Sequence, residues 1–105
     1  MHIDETEAFG LCTELIAPLK ERGIREFNEM QEMAIKAGIF CGKNLMICSP
    51  SASGKSLLGE LTCINTALKG GKAAYIVPLK SLAYEKYDDI LEYCKSLSLH
   101  ITIST

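Results

Sequence analysis

The chain has only two histidines, His2 and His100, at opposite ends, and none of its five cysteines (12, 41, 48, 63 and 94) is set in a CxxC spacing. A zinc site needs ligands clustered at short intervals, so these residues argue against one. An odd number of cysteines, several in apolar helix or strand positions, reads as buried thiols in a reducing cytosol. His2 reads as a mobile terminal residue and His100 as a strand side chain. No apolar run approaches the ~18 residues that a membrane span needs, and no secretory signal peptide opens the chain. An excess of positive charge is also lacking: net charge is −2 and the isoelectric point is near 5.6. No overall basic field draws nucleic acid, so any such binding must come from a local patch. Repeats, low-complexity stretches and linkers are absent as well.

What remains is an ordinary globular composition, 48% hydrophobic and 23% charged, in 105 residues. That length suits one small domain with a single modest core. Ala8, Leu11, Cys12, Leu15 and Leu19 recur at helical spacing after Asp4 and Thr6, either of which can cap a helix. Pro18 should end or kink it, and Gly23 closes the segment. Asn28 opens a second helix to about Ala37, followed by Gly38. Leu45 to Cys48 reads as an apolar strand, and a helix runs to about Leu68 before a Gly70-Gly71 turn. A strand from Ala73 to Val77, a helix from about Ser81 to Ser96 and a third strand from His100 to Ile103 complete the pattern. Apolar strands alternating with helices predict an α/β fold, a parallel sheet covered by helices on both faces and preceded by a helical segment.

The most informative stretch is Ser49 to Ser56, SPSASGKS, between the apolar run at 45–48 and the helix at 57–68. Strand, loop and helix in that order make a phosphate-binding P-loop. Gly54 lets backbone N–H groups approach a phosphate chain, Lys55 supplies a compact positive charge, and the Ser56 hydroxyl can ligate Mg²⁺. The helix beginning there adds its positive dipole end. Ser49 stands where the full GxxxxGK(S/T) pattern has glycine. A plain alternative is a tight strand-to-helix turn with Ser53 as cap and Lys55 solvated.

Three segments in fixed order then resemble the first RecA-like domain of superfamily 2 helicases, in the branch of archaeal repair DNA helicases and exosome-associated and spliceosomal RNA helicases. GIREFNEMQEMAIKAGIFCGKNLMI is similar to the Q motif region, PSASGKS to that branch's PTASGKT, and VPLKSLAYEKY to motif Ia. The branch does not require the first P-loop glycine. The resemblance implies an ATP-dependent helicase using ATP and Mg²⁺, with DNA favoured over RNA by the PLKSLAYEKY wording, while the cysteine pattern leads to the expectation of a cytoplasmic protein. It places Gln31, Phe27, Ser51, Ala52, Ser53, Gly54, Lys55 and Ser56 at the nucleotide, with Lys55 and Ser56 serving catalysis and Ser56 the metal. It places Pro78, Lys80 and Ser81 on the backbone of a single-stranded or forked nucleic acid.

Several of these positions have a second reading. Gln31 can give and take one hydrogen bond at the adenine edge, yet with Asn28 as N-cap it also falls where a capping box is completed. Phe27 can pack beside the base or staple the helix start. Pro78 can simply end a strand, with Lys80 a solvated charge at the start of a helix. Tyr84, Tyr87 and Tyr93 can stack on bases, but their helical spacing favours mixed core and surface packing. The family's acidic DExH motif has no counterpart here, and the arginines, Arg22 and Arg25, both precede the P-loop. Residues 1–105 are therefore expected to be the amino-terminal portion of a larger helicase, unable to unwind alone, whose exposed sheet edge can pair with another copy. Other P-loop NTPases or kinases, and a non-enzymatic interaction module, are the alternatives.

Overall fold

A computed structural model describes residues 1–43, 54–76, 79–94, 97 and 99–103. Four α-helices organise them: α1 (Ile16–Glu21), α2 (Glu29–Lys36), α3 (Lys55–Leu68) and α4 (Lys80–Cys94), with 3-10 turns at Ile3–Phe9, Thr13–Leu15 and Ile39–Cys41. Leu58, Leu61 and Ile64 form the buried stripe of α3. They join Leu11, Leu15 and Leu19 from the N-terminal segment, Ile35 from α2, and Ile90 and Tyr93 from α4 in one core.

The expected parallel sheet is not found. Among the described residues there is no strand, and the α/β assignment gives way to a mostly helical arrangement. Leu45 to Cys48 lies outside the described residues. The 73–76 part of the second expected strand and residues 100–103 are described and are not strands. Apolar runs state a preference for extended backbone, but a strand exists only where a neighbour supplies the ladder. Ile76, 90% exposed, shows that this stretch is not covered on both faces. Without a sheet among the described residues, the sheet edge expected to mediate self-association is missing there too.

The N-terminal helix also differs from expectation. It breaks at Gly10, whose φ of 102° is left-handed, rather than at Pro18. Pro18 sits in the first turn of α1, where its missing N–H would have had no helical partner. Gly23 closes α1 by donating to Lys20 O at 3.0 Å, as the sequence suggests. His2 is not a loose end: it bridges to Glu26, while Ile3 N–H donates to Arg25 O and Phe27 N–H to Met1 O. The first three residues thus lie antiparallel to residues 25–27.

Helix α2 begins and ends where its signals place it, from the Asn28 cap to Ala37 with left-handed Gly38 behind it. Cys12 and Cys63 are half-buried and Cys94 buried, and burial pushes all three thiols up, whereas Cys41 is exposed.

Candidate functional site

Helix α3 starts on Gly54, which at φ 92° adopts a conformation that side chains resist, and no side chain caps it. A Cβ at this position would fall on the Gln31 amide and also meet Asn28 Nδ2 at 3.3 Å. Glycine is needed for both reasons. Lys55 and Ser56 follow in the first turn, Ser56 exposed and Lys55 half-buried.

Gln31 is the residue that joins this helix start to α2. Its backbone N–H donates to Asn28 Oδ1 at 2.9 Å, and its Oε1 accepts from Asn28 N–H at 2.9 Å, a complete capping box. Its Nε2 then donates to Gly54 O at 3.2 Å. Both ends of the amide are engaged, one on each helix. Capping is therefore realised, and it is combined with a tether that local reading did not anticipate.

Beside these residues lies an open cleft of about 720 Å³ lined by His2, Gly23, Ile24, Arg25, Glu26, Asn28, Gln31 and Leu57. Gln31 was singled out from the sequence; His2, Ile24, Arg25, Glu26 and Leu57 were not. Pairing of residues 1–3 with 25–27 puts His2 in this wall, a contact with no local signature. Phe27, in contrast, is 4% exposed, belongs to the core and does not line the cleft. It makes no hydrophobic staple, since the fourth residue of α2 is Glu32. Ser51, Ala52 and Ser53 lie outside the described residues.

Of the expected nucleic-acid contacts, Lys80 and Ser81 are exposed in the first turn of α4, and Pro78 lies outside the described residues. Tyr84 is exposed, Tyr87 half-buried and Tyr93 fully buried, the mixed packing their spacing suggests. Arg22 lies over the Tyr93 ring, 4.7 Å from its centre. Burial pushes the Tyr93 hydroxyl up, with the Arg22 charge opposing.

Helices α3 and α4 are joined by an ion pair, Lys86 Nζ to Glu60 Oε1 at 3.0 Å, with Glu60 nearly dry. Burial works against the Lys86 charge, but the hydrogen bond and charge of Glu60 outweigh it and hold the ammonium above its ordinary range. A larger cavity, about 830 Å³, lies between the C-terminal half of α3, α4 and the extended segments 71–76 and 99–103. Neither Gly54, Lys55 nor Ser56 lines it, so size does not make it the phosphate site.

Comparison with known proteins places these features in context. Residues 28–105 match the family model described as DEAD/DEAH box helicase. The chain is 47% identical over 88 residues to the ATP-dependent DNA helicase Hel308 of Thermococcus kodakarensis, covering 83% of this chain and 8% of that protein. It is 52% identical over 73 residues to Hel308 of Methanocella arvoryzae, covering 70% of this chain and 10% of that protein. Against Hel308 of Caldivirga maquilingensis it is 38% identical over 106 aligned positions, covering 100% of this chain and 14% of that protein. The chain spans roughly a tenth of the length of these relatives.

Proposed function

Because the chain belongs to the DEAD/DEAH box helicase family, we propose that residues 1–105 carry the Q motif, P-loop and motif Ia of a longer ATP-dependent helicase acting on DNA. The Gln31–Gly54 hydrogen bond carries this reading, since it brings the Q motif amide to the helix start that follows the P-loop. A glutamine amide offers two N–H donors and two acceptor lone pairs. The capping box and the tether use one of each, leaving one donor and one acceptor. Those are what the N7 and N6 positions of adenine require. The cap and the adenine reader are compatible roles for one side chain.

The surroundings fit a nucleoside triphosphate. Gly54 admits close backbone approach, Lys55 supplies charge to a phosphate, and the exposed Ser56 hydroxyl is suited to Mg²⁺. When bound, ATP and Mg²⁺ supply the transferable phosphoryl group and its charge neutralisation; Gly54, Lys55, Ser56 and Gln31 bind and orient. Lys80 and Ser81, exposed at the start of α4, are the proposed contacts to a DNA strand's phosphates, which carry no base information. A cytoplasmic location belongs to the same reading, in keeping with the free thiols Cys12, Cys41, Cys63 and Cys94.

Calorimetric titration with Mg-ATP and Mg-GTP tests it, comparing the unaltered chain with Gln31→Ala, Asn28→Ala and Lys55→Ala. ATP is expected to bind better than GTP, with Lys55→Ala abolishing binding. Gln31→Ala should level the two nucleotides, whereas Asn28→Ala, which breaks the cap but spares the amide, should keep the preference. Equal loss of preference in both variants would reduce Gln31 to a helix cap. No binding by a folded chain would favour an interaction module.

A further inference from the structure

Asn65 is a buried amide beside the Leu58, Leu61 and Ile64 stripe of α3, 2% exposed. Its Oδ1 accepts from Cys12 N–H at 2.7 Å, and its Nδ2 donates to Gly10 O at 3.0 Å and to Phe40 O at 3.4 Å. Lys69, one turn further along, donates to the same Phe40 carbonyl at 2.9 Å. The second half of α3 therefore grips two separate turns through backbone groups. One is the Gly10–Cys12 corner; the other is the Ile39–Cys41 turn, whose chain leads through Lys43 into residues 44–53 and so to Gly54.

We propose that Asn65 is a positioning residue for the nucleotide: it fixes α3 against the Ile39–Cys41 turn and thereby sets where Gly54, Lys55 and Ser56 stand relative to that turn and to Gln31. This rests on the reading of Gly54, Lys55 and Ser56 as the phosphate site. Packing alone does not give such precision. The Leu58, Leu61 and Ile64 stripe favours burial in any orientation that covers it, whereas hydrogen bonds to an N–H and two carbonyls fix both the height and the rotation of the helix. An apolar residue at 65 would leave those three backbone groups without this partner.

Geometry gives the site leverage. Gly54 and Asn65 belong to one rigid helix and are ~16 Å apart along it. A 10° rotation of α3 about Asn65, taken for scale, would move Gly54 by ~3 Å, whereas misplacement by ~1 Å is enough to lose about a hundredfold in a positioned reaction. Gln31 holds the other end through Gly54 O. The helix is thus fixed at two points, and neither substitutes for the other.

The test measures a fluorescent ATP analogue binding to the full natural chain, together with melting temperature. Asn65→Ala is compared with Lys69→Met, which removes the second bond to Phe40 O, and with Ile90→Ala, a core truncation in α4. All affinities are taken where each variant is folded, a readout that lost stability by itself does not move. Asn65→Ala is expected to raise Kd about tenfold and Lys69→Met about twofold to threefold, while Ile90→Ala leaves Kd unchanged despite a comparable fall in melting temperature. If Asn65→Ala does not fold, Asn65→Asp replaces it with the same expectation, since it keeps the acceptor for Cys12 and loses both donors. Unchanged affinity in the Asn65 variant, or the same weakening in Ile90→Ala, overturns the proposal while leaving the phosphate site intact. An unaltered chain that binds no nucleotide overturns the phosphate-site reading and the proposal with it.

Discussion

Lys86→Met removes the partner of a carboxylate that has almost no water. The Glu60 side chain is 6% exposed and lies 3.0 Å from Lys86 Nζ, while the lysine side chain is 20% exposed. Asp89, 3.9 Å from the same ammonium, is 38% exposed and can be solvated without it. The loss therefore falls on Glu60. Stranding a buried charge costs about 3–5 kcal/mol, and partial access to water puts this case near ~3 kcal/mol. Glu60→Gln keeps the shape and leaves Lys86 to water and Asp89, so about 1 kcal/mol is expected. The double variant Glu60→Gln/Lys86→Met should lose little more than Glu60→Gln, a coupling of about 3 kcal/mol. Urea denaturation followed by circular dichroism reads all three, and against a total stability of about 5–15 kcal/mol the differences are large. A pH series adds a second check. Burial lowers the Lys86 pKa, but Glu60 more than offsets this, so the folded value lies above the unfolded one. The stabilisation is then fully present below the unfolded value of about 10.5 and is lost as pH rises through the folded value. The gap between the unaltered chain and Lys86→Met should hold from about pH 7 to 9 and shrink above about 10.5. If Lys86→Met costs no more than Glu60→Gln, Glu60 is hydrated and the argument fails.

Two further substitutions test the site and the core. Gly54→Ala combines a left-handed φ with a Cβ on the Gln31 amide; loss of about 2 kcal/mol in chemical denaturation and loss of nucleotide binding by calorimetry are expected. Tyr93→Phe should be neutral or stabilising by up to about 1 kcal/mol in the same denaturation assay, because the buried hydroxyl has no hydrogen-bond partner among the described residues and the ring under Arg22 is kept.

The residues that were legible in the sequence share a property: their partners are close in the chain. The Asn28–Gln31 capping box joins positions three apart, and Gly38 announces the end of α2 from the adjacent turn. The apolar stripe of α3 repeats within one helix. Such signals act over a few residues, so a single sequence contains both halves of each interaction. Gly10 shows the limit even of local reading. Helical spacing from Ala8 to Leu19 is real, but the left-handed φ at Gly10 divides the segment, and Gly10 O and Cys12 N–H then pair with Asn65 instead of continuing a helix.

The contacts that make a site of these pieces are of the other kind. Gln31 to Gly54 spans 23 positions, Lys86 to Glu60 spans 26, and Asn65 reaches back 53 and 55 positions to Cys12 and Gly10. No periodicity or cap announces any of them. The same physics explains why no sheet forms among the described residues: 73–76 and 100–103 have side chains suited to strands, but a ladder depends on a second segment at the right distance, which is non-local information. Glu60, Asn65 and Gln31 are polar residues buried at 5% exposure or less, and each is bonded to a group remote in sequence. Burying a polar side chain is unfavourable unless its partners are in place, so these three residues favour one arrangement of α3 over others that bury the same leucines. The apolar stripe makes α3 fold against the core, and the buried polar residues favour one placement of its Gly54 end.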